Sequence, residues 1–176
     1  YATLLRALET SHSMASPVTA VELTVYEQST LRRVLQSDIY LMTARRRNYL
    51  ILRLDSFLVD GAATYDPTVL TIEHVLPQTV DDDSVWAKQW PNASDRTLWL
   101  HRLANLVPLT QRRNSQAQNY DFERKKKAYF GGKQGVSSYA LTTQVLNTAT
   151  WTPAVVEQRQ ADLLEMLSTK WELAQA

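Results

Sequence analysis

Apolar residues recur at helical spacing near both ends of this chain and at strand-like spacing in its middle. Over residues 38–59, Ile39, Met42, Tyr49, Leu50, Leu54, Phe57 and Leu58 fall on one helical stripe, and Gly61 follows as a stop. A less regular pattern predicts another helix over 18–35. Two short β-prone runs follow. The first, Val69-Leu70-Thr71-Ile72, is closed by Pro77; the second, Asn105-Leu106-Val107-Pro108-Leu109, carries a proline that suits an edge position. Short helices are predicted between them, near 85–90 and 95–103, and residues 112–130 have helix-forming composition ending at Gly131-Gly132. The last helix has Thr152 as its cap, Pro153 in its first turn, and a stripe of Val156, Leu163, Leu164, Leu167 and Trp171.

This order predicts a mainly α fold with a small β-hairpin. A helical N-terminal part covers 1–68, a strand–strand–helix unit covers 69–130, and a C-terminal helical part covers 131–176, packed as one compact domain. The length of 176 residues is enough to bury a core without covalent help. Because the chain opens on Tyr1 inside a helical pattern, it is expected to be a segment of a longer protein. The absence of cysteine excludes disulfides, thiolate zinc sites and a cysteine nucleophile, and fits a reducing, cytoplasmic compartment. No apolar run approaches the ~20 residues that span a bilayer. Nothing in the pattern sets an oligomeric state.

The net charge of +1 conceals an asymmetry. Residues 60–95 hold seven acids and one base, whereas 111–133 hold seven bases and two acids. A cation site beside a polyanion site would look like this, and so would two solvated faces. Asp81-Asp82-Asp83 stands in a loop before a helix, which suits an exposed acidic cluster better than a metal site. The five tryptophans are expected in the core.

Only three histidines occur: His12, His74 and His101. His12 reads as a surface residue. His74 sits in Ile72-Glu73-His74-Val75-Leu76-Pro77-Gln78, His101 shortly before Asn105, and Asn114 nine residues after Asn105. Hydrolysis of a phosphodiester needs a group to take a proton from water, for which an imidazole is the best side chain at neutral pH. It also needs charge neutralised on phosphate oxygens, which a hard divalent cation does when held by one or two protein oxygens. Finally, the imidazole must be held in one tautomer. Glu73, His74, Asn105 and Asn114 contain that set of parts. Taken singly, each also reads as an ordinary structural, turn or cap residue.

An acid followed by His-hydrophobic-x-Pro, then Asn-Leu-x-x-Leu, then Asn nine positions on, resembles the HNH (ββα-metal) nuclease motif. The longer string of Glu-His-x-Leu-Pro-Gln, a Trp-containing insertion, His-Arg-Leu-x-Asn-Leu, Asn-Ser and Phe-x-x-Lys-Lys-x-x-Tyr-Phe is similar to the C-terminal domain of GmrSD-type restriction endonucleases. The tail of that string is Phe122, Lys125, Lys126, Tyr129 and Phe130. An anti-phage nicking protein acting with phosphorothioate DNA modification belongs to this group. The resemblance covers about residues 69–130 and implies a helical domain embedding a ββα-metal nuclease core.

By that resemblance His74 is the general base, Asn105 orients it, and Glu73 and Asn114 bind a divalent metal, Mg2+ or else Mn2+. Arg102, Arg112, Arg113, Lys125, Lys126 and Lys127 are expected to dock the DNA backbone, with His101 and Asn119 as support. Ala104 departs from the group, which usually has glycine there. Neighbours on a regular strand also point to opposite faces, so Glu73 and His74 converge only if the strand ends there. The implied function is a metal-dependent DNA endonuclease that nicks, the effector of an anti-phage restriction system, with a separate N-terminal nucleotide-hydrolysing sensor. The alternatives are a non-catalytic nucleic-acid or protein-binding module, or an RNase with the same site.

Overall fold

A computed structural model of the chain describes residues 23–59, 70–112, 114, 119–130 and 139–173. Among these are seven α-helices and one two-stranded sheet, which agrees with the expected mainly helical class and small hairpin. His12, Gly61, Arg113 and Gly131-Gly132 lie outside the described residues.

Helix α1, Val25–Leu35, begins at a reciprocal cap: Thr24 Oγ1 accepts from the Glu27 backbone N–H, and the Glu27 carboxylate accepts from the Thr24 N–H. The single helix expected over 38–59 is instead a short 3-10 turn, Ile39–Leu41, and helix α2, Ala44–Phe57. The chain is extended at Met42, and the Tyr40 carbonyl, which a continuous helix would use internally, accepts from Arg47 Nη1 at 2.8 Å. That break shifts the buried face. Ile51 is buried, whereas Tyr49, expected in the stripe, is 63% exposed.

Strands β1, Leu70–His74, and β2, Leu106–Thr110, pair antiparallel, with His74 opposite Leu106 and Ile72 opposite Pro108. In a two-stranded sheet each strand has a free edge, so Pro108 fits without breaking a ladder. Between the strands lie α3, Val85–Gln89, capped by Ser84, and α4, Ala93–Leu100, capped by Asn92. A 3-10 turn, Leu103–Asn105, then leads into β2. Asn105 therefore precedes the strand it was expected to open.

The helix expected over 112–130 is not continuous. Gln111, Arg112 and Asn114 are helical, but Tyr120 and Asp121 are not, and α5 runs Phe122–Phe130. Asp121 Oδ1 accepts from the Arg124 N–H at 2.9 Å, so its side chain starts a fresh helix there. Helix α6, Ala140–Leu146, had no counterpart in the sequence pattern. Helix α7, Pro153–Lys170, begins as expected, with Thr152 as its cap and Pro153 in its first turn.

The main core joins α1, α2, both strands and α7 through residues such as Leu35, Leu54, Ile72, Leu106 and Leu163. A second cluster lies behind the end of the hairpin, where Val75, Val107, Phe122 and the buried Trp86, Trp90 and Trp151 meet. The indole N–H of Trp86 donates to the Tyr120 carbonyl and that of Trp90 to the Trp151 carbonyl, which satisfies both rings inside the core. Among the described residues no helix is long and apolar enough to cross a membrane.

Candidate active site at the end of the hairpin

Strand β1 ends at His74, and its end opens onto a cleft of about 120 Å³. Glu73, His74, Pro77, Gln78, Asn114, Asn119 and Lys125 line it. The cleft thus gathers Glu73, His74, Asn114 and Asn119 from three separate stretches of sequence. A larger hollow of about 340 Å³ lies between α6 and α7, lined in part by Gln144, Arg159 and Met166, and contains none of the predicted site residues.

Glu73 and Lys125 form a buried ion pair, with Nζ 2.7 Å from Oε1. The same ammonium donates to the His74 carbonyl at 2.7 Å. Burial lowers the Lys125 pKa, and the Glu73 carboxylate opposes that shift. Lys125, expected to dock DNA, is 1% exposed and keeps its ammonium against Glu73 and the His74 carbonyl. The reason is helical phase: Lys125 lies three residues after the buried Phe122 and shares its inward face.

His74 is buried and neutral. Desolvation first, then the neighbouring His101, Lys125 and Arg47, lower its pKa from 6.5 to about 3. Its Nε2 lies 3.1 Å from His101 Nδ1. The Tyr40 ring packs against both imidazoles, with centroids 4.1 Å from His74 and 5.5 Å from His101, the latter nearly parallel. The Arg47 guanidinium sits 4.5 Å from the Tyr40 ring centroid. Sequence reasoning missed Tyr40 and Arg47 as parts of this surround. They come from the 3-10 turn and α2, outside the 69–130 unit, and no spacing along the chain links them to His74.

Asn105 does not reach the imidazole. Its Oδ1 accepts from the Leu76 N–H at 2.7 Å and from the Trp151 indole at 3.2 Å. Its Nδ2 donates to the carbonyls of Leu76 at 3.1 Å and Leu100 at 2.9 Å. The Asn105 carbonyl also accepts from the Val75 N–H. Asn105 therefore acts on the backbone that follows His74 and ends the strand there. That early end is what lets Glu73 and His74 line one cleft.

The turn carrying Asn105 is gripped from α7. The Ala104 N–H donates to Gln160 Oε1 at 2.9 Å, and its carbonyl accepts from Arg159 Nε at 3.1 Å. Burial lowers the Arg159 pKa to about 10, with Asp162 opposing the shift. Ala104 has no positive φ, so its backbone does not require the glycine expected there.

The remaining basic candidates divide by exposure. Arg112 and Lys127 are exposed. Lys126 Nζ pairs with Glu123 at 2.7 Å and donates to the Thr148 carbonyl, and Arg102 lies 3.7 Å from Asp38. Asp81, Asp82 and Asp83 are exposed ahead of α3, as expected for a solvated cluster.

The donor set suits a hard divalent cation. Glu73, whose Oε1 already accepts from Lys125, lines one cleft with Asn114 and Asn119, and such ions take one or two protein ligands and fill the rest with water and phosphate. Among the described residues no group of three or more His, Asp or Glu is placed to hold an ion by itself.

Comparison with curated proteins and with solved structures returns no match. Residues 25–166 match the family described as GmrSD restriction endonucleases, C-terminal domain. The match runs through every element from α1 to most of α7 and includes the whole cleft and its surround. A family of restriction endonucleases implies nuclease activity with DNA as the substrate. The chain belongs to the GmrSD restriction endonuclease C-terminal domain family.

Proposed function

We propose that this chain is an HNH-type DNA endonuclease domain that nicks in a metal-dependent way, acting as the cytoplasmic effector of an anti-phage restriction system. The observation that carries the reading is the convergence of Glu73, His74 and Asn114 on one cleft, in a chain from a restriction endonuclease family.

In this reading His74 accepts a proton from the attacking water. The resulting hydroxide adds to phosphorus, the bond to the opposite bridging oxygen breaks, and that oxygen takes up a proton. A neutral imidazole is ready to accept, but a pKa of about 3 makes it a weak base. An anionic phosphate entering the cleft offsets the field of Lys125 and Arg47 and so restores basicity. Glu73 and Asn114 would hold Mg2+ or Mn2+, which when bound supplies charge neutralisation at the phosphate oxygens. Asn105 fixes the His74-bearing backbone, and Arg102, Arg112, Arg113, Lys126 and Lys127 contact backbone phosphates. One such site cuts one strand; a double-strand break needs a second site or a dimer. A nucleotide-hydrolysing sensor preceding this domain completes the system.

The test is supercoiled plasmid with Mg2+, comparing the wild type with His74→Ala. Relaxation by the wild type that the variant and chelation both abolish supports the nickase. A second reading, a non-catalytic DNA-binding module, draws on the Lys125 ammonium already bound to Glu73. Plasmid binding without relaxation, unchanged in His74→Ala, selects it. Parallel digestion of single-stranded RNA separates an RNase with the same site.

A further inference from the structure

We propose that His101 is the positioning residue of the His74 base, selecting through its Nδ1 which ring nitrogen of His74 carries the proton. The inference rests on His74 acting as the proton acceptor.

Asn105 is excluded from this role by its own hydrogen bonds. Both sides of its amide are taken by Leu76, Leu100 and Trp151, so it has nothing to offer the imidazole. The group that does reach the ring is His101, at 3.1 Å from Nε2. His74 lines the cleft and His101 does not. His101 therefore stands behind the base and acts on it from the side away from substrate.

A hydrogen bond between two imidazole nitrogens needs one N–H and one lone pair. If the His74 Nε2–H donates, His74 Nδ1 keeps its lone pair and can take a proton from water. If His101 Nδ1–H donates instead, His74 carries its proton on Nδ1 and cannot serve. The first arrangement puts both rings in the Nε2–H form, which imidazoles of this type favour on their own. With the proton so placed on His74 Nε2, the contact to His101 holds the tautomer that the reaction requires.

His101 is itself held. Its carbonyl accepts from the Tyr40 N–H at 3.1 Å, and the Tyr40 ring stacks on its imidazole with an interplanar angle of 12°. The same ring presses on His74 at 4.1 Å. Arg47 fixes Tyr40 in turn through its carbonyl and its ring face. The two histidines are clamped as a pair by one tyrosine from the N-terminal helical part.

Two variants and one spectrum test this. His101→Phe keeps a ring to stack on Tyr40 but removes the nitrogen. His101→Asn places an amide oxygen near the position of Nδ1. In plasmid nicking with Mg2+, His101→Phe should lower kcat about 10- to 100-fold with KM unchanged, and His101→Asn should recover most of the loss. In 15N-labelled wild type, long-range imidazole correlations should show His74 in the Nε2–H form, and His101→Phe should show both forms. A wild-type His74 protonated on Nδ1 overturns the proposal. So does a folded His101→Phe that keeps the wild-type kcat and the wild-type tautomer. A wild type with the expected tautomer that fails to nick overturns the nuclease reading instead.

Discussion

The ammonium of Lys125 touches both the Glu73 carboxylate and the His74 backbone carbonyl, so one buried cation ties two consecutive residues of the site to α5. Removing it takes the ammonium from a carboxylate in a mostly dry setting. Lys125→Met should destabilise the fold by about 3–5 kcal/mol, the usual cost of breaking a buried pair. Adding Glu73→Gln should recover much of that loss. Urea denaturation of both proteins measures it, and a Lys125→Met midpoint equal to the wild type would show that the pair contributes nothing.

Asn105 offers a sharper stability test, because four polar groups depend on one small amide, three of them through buried hydrogen bonds. Asn105→Ala should lose roughly 3 kcal/mol or more, since each buried group left unsatisfied costs about 1–3 kcal/mol. Asn105→Asp keeps the acceptor but not the donors, and should lie between. Thermal melts order the three proteins, and an alanine variant as stable as the wild type counts against the role given to this residue.

The pH dependence of stability has a definite sign. The pKa of His74 is about 3 when folded and 6.5 ordinarily, so the unfolded chain binds the extra proton between those values. The stability contributed by keeping His74 neutral is complete above pH 6.5 and is lost as pH falls from there toward about 3. A single group supplies a slope of at most about 1.4 kcal/mol per pH unit. Denaturation curves for His74→Gln should be flatter over that window, and an identical slope in the two proteins would contradict it.

For DNA binding, the exposed Arg112 and Lys127 should matter through salt. Each phosphate contact removed should reduce the slope of log K against log salt by about 0.9. Arg112→Ala with Lys127→Ala should therefore bind all duplexes more weakly and less salt-dependently. Lys126, already paired with Glu123, should change the slope less. Fluorescence anisotropy across a salt series separates them, and an unaltered slope in the double variant would move the docking surface elsewhere.

The hairpin was legible because β-prone residues surround both motif segments, and the start of α7 was legible from Thr152 and Pro153. Glu73, His74 and Asn114 could be grouped because a family pattern fixes their order and spacing. The misreadings of Tyr49, Asn105 and Lys125 share a cause: they depend on which way a side chain faces. A run of three lysines shows a basic helix, but only its phase against Phe122 reveals that Lys125 points inward. That signal was present in the sequence. By contrast, no local pattern announces that Tyr40 would lie on His74 and His101, because that contact exists only once the 3-10 turn docks against the end of α4.

The indole of Trp151, just ahead of α7, donates to Asn105 from 46 residues downstream. Any attempt to transplant this centre into another scaffold must therefore carry more than its two strands and following helix. Cut to 69–130, the graft would lose Trp151, the Gln160 and Arg159 grips on Ala104, and the tyrosine lid over both imidazoles. The portable piece extends at least from Tyr40 to Gln160.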